Sequence, residues 1–192
     1  MDFTRKARWV AAGHKTPDPI RSTYAGLVSK ESVKIAFTYA ALNDLDVFAA
    51  DIQNAYLQAP CSEKYYITCG IEWRPDLVGR QAKIVRALYV LKSSGADFRN
   101  HLRDYMGHLG FKSCLGNDDI WRRPVIKSNG DEYWEYILLY MDDCLVISEF
   151  GKDIFRKELK PYFKLKEESI GHTTIYLGGK VSKLMLPNGV VA

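Results

Sequence analysis

Apolar positions along this chain change period several times, and each period predicts a different element. Val33, Ala36, Phe37, Ala40 and Ala41 recur at spacings of three and four, which places them on one face of a helix. Ser29 to Ser32 can start that helix, and Asn43-Asp44 ends it. The following run DVFAAD, residues 46–51, is short and continuously apolar between its carboxylates, as in a strand buried on both faces. Residues 64–69 form a second apolar segment, followed by a turn-rich stretch at Trp73-Arg74-Pro75-Asp76. Residues 81–90 fit either strand or turn.

Further on, Phe98, Leu102, Tyr105, Met106 and Leu109 make an apolar stripe that predicts a helix over 96–109, capped by Gly110. Two strands should flank Lys127-Ser128-Asn129-Gly130, because Asn-Gly is a strong hairpin turn. The second of them, residues 133–140, runs into Met141-Asp142-Asp143 and out again over 144–148. That is a tight hairpin with carboxylates at its tip. Residues 151–163 suggest a short amphipathic helix, and 174–191 two short strands around Pro187-Asn188-Gly189. The opening residues 5–15 read as a strand or hairpin arm before a Pro-containing loop at 16–19. Hairpins mixed with helices indicate an α+β fold with an antiparallel sheet.

Composition narrows the class. The chain has 192 residues, 47% hydrophobic and 26% charged, enough for one core without disulfide support. Net charge is +4, and residues 1–24 alone hold +3 from Arg5, Lys6, Arg8, Lys15 and Arg21 against Asp2 and Asp18. A basic segment suits a phosphate-rich partner, although solvated surface charge gives the same pattern. Cys61, Cys69, Cys114 and Cys144 form no CxxC pair and read as reduced thiols of an intracellular protein. The first ten residues are charged where a signal peptide would be apolar, and no apolar run approaches bilayer length. No membrane partner is expected.

Candidate chemistry lies in two carboxylate sites at strand ends, Asp51 and the pair Asp142-Asp143. Carboxylates brought together disfavour joint ionisation and need a neutralising partner. Two Mg²⁺ ions would satisfy that need and could stabilise both oxygens of an in-line phosphoryl displacement. Turn chemistry for Asp-Asp and helix capping by Asp51 explain the same residues without any metal. Spacing leaves both readings open.

Motifs go further. Tyr140-Met141-Asp142-Asp143 resembles the YxDD signature of reverse transcriptases. Ala50-Asp51-Ile52-Gln53-Asn54-Ala55-Tyr56-Leu57 resembles the DVxNAFL motif of copia-type retrotransposons. Leu88-Tyr89-Val90-Leu91-Lys92 resembles their LYGLK segment, Lys6-Ala7-Arg8-Trp9-Val10 their KARLV opening, and 176–181 their YLGxxV. These motifs keep the family order along nearly the whole chain.

The resemblance implies a reverse transcriptase, an RNA-directed DNA polymerase that joins a dNTP to a primer 3′-hydroxyl. It implies Asp51 and Asp142 as principal ligands of two Mg²⁺ ions (Mn²⁺ as substitute), with Asp143 in support and the Ile52 carbonyl as a further ligand. Tyr56, five residues after Asp51, takes the place of the family's steric gate against the ribose 2′-hydroxyl; a core tyrosine is the alternative. Lys6 and Arg8 would meet the incoming triphosphate, Lys92 a template or primer phosphate, and Met141 the primer end. Trp9, Trp73 and Trp121 could stack on bases or simply pack. Implied partners are an RNA or DNA template with its primer, dNTPs, and a larger polyprotein with integrase and RNase H. The implied location is cytoplasmic, in a virus-like particle, or nuclear.

The implied architecture is a single fingers–palm domain over 1–192, truncated at both ends and lacking the thumb, with a partial fingers lobe from 1–45 and 61–90. Val90 replaces the family glycine and Ser93 its glutamine. A glycine that serves a positive φ would make valine costly. These departures keep two other readings in play: a decayed fragment with the fold and weak nucleic-acid binding, and a different phosphotransferase on the same scaffold. Lys160, Lys164 and Lys166 are equal candidates for a general acid.

Overall fold

The structure, a computed structural model, describes residues 9–184 and Pro187. Its strands in chain order begin with β1 (Val47–Asp51), β2 (Tyr66–Thr68), β3 (Gln81–Lys83), β4 (Lys112–Cys114) and β5 (Asn117–Ile126). They continue with β6 (Glu132–Tyr140), β7 (Asp143–Ile147), β8 (Gly171–His172), β9 (Ile175–Tyr176) and β10 (Gly179–Lys180). The helices are α1 (Lys30–Leu42), α2 (Ala55–Gln58), α3 (Ser94–His108) and α4 (Gly151–Asp153). The α+β class is therefore as the sequence pattern implies.

The chain forms two compact units, one within Met1–Ala25 and Ala55–Leu102, the other within Gly26–Asn54 and Arg103–Ala192. The second holds a six-stranded antiparallel sheet in the order β4-β5-β6-β7-β1-β8. Its centre is the β6–β7 hairpin, where Ile137, Leu138, Leu145, Val146 and Ile147 are fully buried. Continuous apolar runs go there because a central strand covered on both faces has no solvent side.

Helix α1 starts as its sequence predicts: the Ser29 side chain accepts the Ser32 N–H at 3.1 Å. Its stripe, Val33 and Ala40 buried and Ala36 and Phe37 half-buried, shares a core with Leu138, Leu145 and Ile147. Residues 26–45 thus lie in the unit that holds the sheet. The reason is physical, since an isolated apolar stripe must bury itself against a sheet face.

The β5–β6 turn falls at Lys127–Asp131 as expected, with Gly130 at φ +96°. Residues 151–163 depart from the predicted α-helix. After the short α4 the backbone becomes π-helical over Ile154–Leu159, and the Lys160 N–H reaches back to the Phe155 carbonyl at 2.8 Å. Widening the turn keeps Ile154, Phe155 and Leu159 all buried. In the described part of the tail, a hairpin turns at Leu177-Gly178, between β9 and β10. Asn188 and Gly189 lie outside the described residues.

The first unit has little regular structure. Of the expected opening strand only residues 9–15 are described, and they hold one parallel bridge, Val10 to Tyr89, before a 3₁₀ turn at Gly13–Lys15. Residues 81–90 resolve into β3, paired with β2, and an irregular stretch. Gly13 packs on the Val90 carbonyl so closely that a Cβ there would lie 1.9 Å from the oxygen. Val90 itself stands at φ +73°.

A β-branched residue in the left-handed region is strained by about 1–3 kcal/mol. Glycine removes that strain but loses roughly 0.5–1 kcal/mol of chain entropy on folding. Val90→Gly should therefore stabilise the protein by about 1 kcal/mol. Urea denaturation would check this, and an unchanged midpoint would show the backbone already relaxed.

Candidate active site

Sheet register assembles the site. β1 and β7 are antiparallel and place Asp51 opposite Asp143. Residues directly opposite in such a pair have Cα atoms about 4.5–5.5 Å apart. β6 and β7 pair Tyr140 with Asp143, so Met141 and Asp142 form a two-residue turn. The Ile52 N–H donates to the Asp142 carbonyl at 2.8 Å, which fastens this turn to the end of β1. Asp51, Asp142, Asp143 and Ile52 are thereby brought to one end of adjacent strands.

The turn bears on the two sequence readings. Met141 is at φ +55°, and Asp142 is not at positive φ, the pattern of a type II′ turn. An aspartate chosen for turn chemistry would occupy the strained position, yet methionine does. Asp51 is equally ill described as a helix cap, since it ends β1 and α2 begins at Ala55.

Another strand-like segment closes the site. Leu165 bridges Ile52, the Lys166 N–H donates to the Asp51 carbonyl at 3.0 Å, and the Gln53 N–H donates to the Lys164 carbonyl at 2.8 Å. The Ser169 hydroxyl accepts the Asp51 N–H at 2.8 Å and donates to the Lys166 carbonyl at 2.7 Å. Lys166 Nζ then meets Asp51 Oδ2 at 2.5 Å. The geometry thus separates Lys166 from the other candidate lysines, since Lys160 pairs with Glu167. Ser169 was not legible in sequence, because it lies 118 residues from Asp51 and belongs to no motif.

Electrostatics follow from this crowding. Burial pushes the Asp143 carboxyl above its ordinary value, the Asp142 and Asp51 charges push it further, and Lys166 opposes them. The Lys166 ammonium is held above its ordinary value, chiefly by its hydrogen bond to Asp51 and then by the Asp51, Asp142 and Glu168 charges, against desolvation. An open cleft of about 370 Å³ is lined by Asp51, Asp143, Ser169 and Tyr176, among others.

Hard carboxylate oxygens are the donor set that Mg²⁺ or Mn²⁺ prefers, and in that sense the residues fit such an ion. They are not drawn together as ligands: among the described residues no group of three or more His, Cys, Asp or Glu side chains is gathered to hold a metal. Lys166 places a positive charge beside Asp51.

The remaining sequence candidates fall elsewhere. Met141 is half exposed at the hairpin tip. Tyr56 lies in α2 of the first unit, its ring 5.3 Å from Tyr89 and 6.2 Å from Phe98, an aromatic packing arrangement. Lys92 Nζ is engaged within the first unit, 2.7 Å from Asp18 and 3.1 Å from the Thr16 carbonyl. Lys6 and Arg8 lie outside the described residues. Trp121 is buried and Trp9 packs 5.2 Å from Trp73, so both make protein contacts.

Fold and site together define an α+β protein whose antiparallel sheet collects carboxylates at the ends of neighbouring strands. Comparison with known families supplies the rest. The sequence profile of the family "Reverse transcriptase (RNA-dependent DNA polymerase)" matches residues 1–185, and the chain belongs to that family. It is similar to the Transposon Ty1-BR Gag-Pol polyprotein of Saccharomyces cerevisiae, 28% identical over 209 residues, covering 98% of this chain and 11% of that protein. The Ty1-DR5 Gag-Pol polyprotein of the same yeast is 29% identical over 158 residues, covering 80% and 8% respectively. The chain spans about a tenth of the length of these curated relatives. Resemblance to copia-type retrotransposon reverse transcriptases, read from the motifs, is thereby borne out.

Proposed function

We propose that this chain carries the polymerising centre of a retrotransposon polyprotein and extends a primer on an RNA or DNA template with dNTPs. The observation that carries the reading is the register of Asp51 opposite Asp143, with Asp142 fastened beside them by the Ile52 N–H. In this reading the six-stranded sheet is the palm, and the first unit contributes the fingers. Asp51 and Asp142 hold the divalent cations, with Asp143 and the Ile52 carbonyl in support.

Two such ions, when bound, stabilise the attacking and leaving oxygens of phosphoryl transfer. The protein's own task is positioning. Asp51 presents charge from the end of β1 and Asp142 from the turn fastened to it, an arrangement that costs little reorganisation at the moment of reaction. Met141 offers a flexible thioether to the primer end. Lys92 reaches nucleic-acid phosphate by exchanging the Asp18 carboxylate for it, and Lys6 and Arg8 meet the triphosphate. Integrase and RNase H belong to the same polyprotein in this view.

Primer extension on poly(rA)/oligo(dT) with dTTP and Mg²⁺ or Mn²⁺ tests the proposal. Extension by the purified chain supports it, and a folded chain that extends nothing under either metal refutes it. Tyr56 is proposed as the steric gate, in view of its place after Asp51. Tyr56→Ala should raise ribonucleotide use relative to dNTPs by about tenfold or more, the scale of one well-placed contact. An unaltered ratio would leave Tyr56 with its packing role against Tyr89 and Phe98.

A second reading has its own support. Val90 is strained at φ +73°, and the neighbouring Ser93 hydroxyl is buried without a hydrogen-bond partner among the described residues. Both lie where the sequence departs from the family pattern, as expected of a copy that keeps the fold while losing catalysis. Restoring glycine at position 90 separates the readings, because recovered extension points to local damage on an intact site.

A further inference from the structure

We infer that Lys166 is the resident counter-ion of the carboxylate cluster: its ammonium competes with a divalent cation for Asp51, so the cation binds there only as the Lys166 side chain swings away. This rests on the reading of Asp51 and Asp142 as metal ligands. Lys166 Nζ lies 2.5 Å from Asp51 Oδ2, which commits that oxygen to a positive charge already inside the site. Asp142, Asp143 and Glu168 also act on Lys166 or feel its charge, so the lysine answers to the whole acidic group.

Backbone geometry makes the contact a built feature. The Lys166 N–H is bonded to the Asp51 carbonyl, and Ser169 ties the Lys166 carbonyl to the Asp51 N–H. The lysine Cα is thus fixed beside β1 while its four-carbon stem keeps several rotamers. The pair is partly screened, Lys166 being 36% and Asp51 27% exposed, so the bond can be released without a large desolvation penalty. A divalent ion brings twice the charge and repels the ammonium, which favours exchange over joint occupancy.

The test is Mn²⁺ binding to the full chain, without nucleotide or primer, read as free Mn²⁺ by electron paramagnetic resonance. Lys166→Met and Lys166→Gln should each bind Mn²⁺ about fivefold tighter or more than wild type, the scale of one partly exposed ion pair. Lys166→Arg should not tighten it, and two uncharged variants guard against one failing to fold. Asp142→Asn in each background should abolish Mn²⁺ binding, leaving the free-ion signal undiminished. Should it do so while neither uncharged variant binds tighter, Lys166 is no competitor and the inference falls, the metal-site reading standing. Should Asp142→Asn leave Mn²⁺ binding unchanged in every background, the metal-site reading falls and takes the inference with it.

Discussion

Arg123→Met should destabilise the protein by about 3–5 kcal/mol, a large share of the roughly 5–15 kcal/mol that holds a domain together. Arg123 Nε donates to Glu135, whose side chain is 1% exposed, and its other nitrogens donate to both oxygens of Glu158 at 2.7 Å. It also donates to the Leu109 carbonyl at 2.8 Å, and its guanidinium lies 4.4 Å from the Phe111 ring. Ser148 donates to the second Glu135 oxygen at 2.8 Å, and the Tyr133 hydroxyl meets Ser148 at 3.0 Å.

Removing the arginine leaves a buried carboxylate whose main cation is gone, the costly half of a buried ion pair. Replacing both buried partners, Arg123→Met with Glu135→Leu, should recover most of the loss, since the charge left behind, Glu158, is partly exposed and reaches water. Urea denaturation of the two variants checks this. A single variant within about 1 kcal/mol of wild type would show the network to be dispensable. The network braces the hairpin that carries Asp142, because Glu135 lies on β6 and Ser148 follows β7.

Asp142→Asn should leave stability within about 0.5 kcal/mol, because its side chain is exposed at a hairpin tip. Its effect on primer extension should be about a thousandfold or more, which corresponds to roughly 4 kcal/mol of lost transition-state stabilisation. The contrast is what identifies a functional residue: a merely structural aspartate would alter stability and activity together. Single-turnover extension beside a thermal melt measures both. Extension within tenfold of wild type would remove Asp142 from the proposed metal site.

Hairpins and helices with strong periodic signals were legible along the chain. The α1 stripe, the α3 stripe, the Asn129-Gly130 turn and the hairpin at Met141-Asp142 all stand where apolar spacing and turn residues put them. Failures came where local pattern is ambiguous or outvoted. Residues 154–159 are π-helical with Ile154, Phe155 and Leu159 buried, a widened turn that apolar spacing does not disclose. The hairpin at Leu177-Gly178, with Leu177 at φ +47°, was missed although Gly178-Gly179 is itself a turn signal.

Asp51, Asp142 and Asp143 could be named from motifs, and the cost of valine at position 90 could be stated conditionally, since φ preference belongs to the residue itself. Family membership was likewise a property of the sequence alone. What required the tertiary structure was everything joined across long separations. Strand register set Asp51 opposite Asp143, and a backbone bridge carried Lys166 to an aspartate 115 residues away. Local sequence fixes preferences of neighbouring residues, but the approach of distant strands is set by the packing of the whole sheet, and that packing decided which lysine faces the carboxylates.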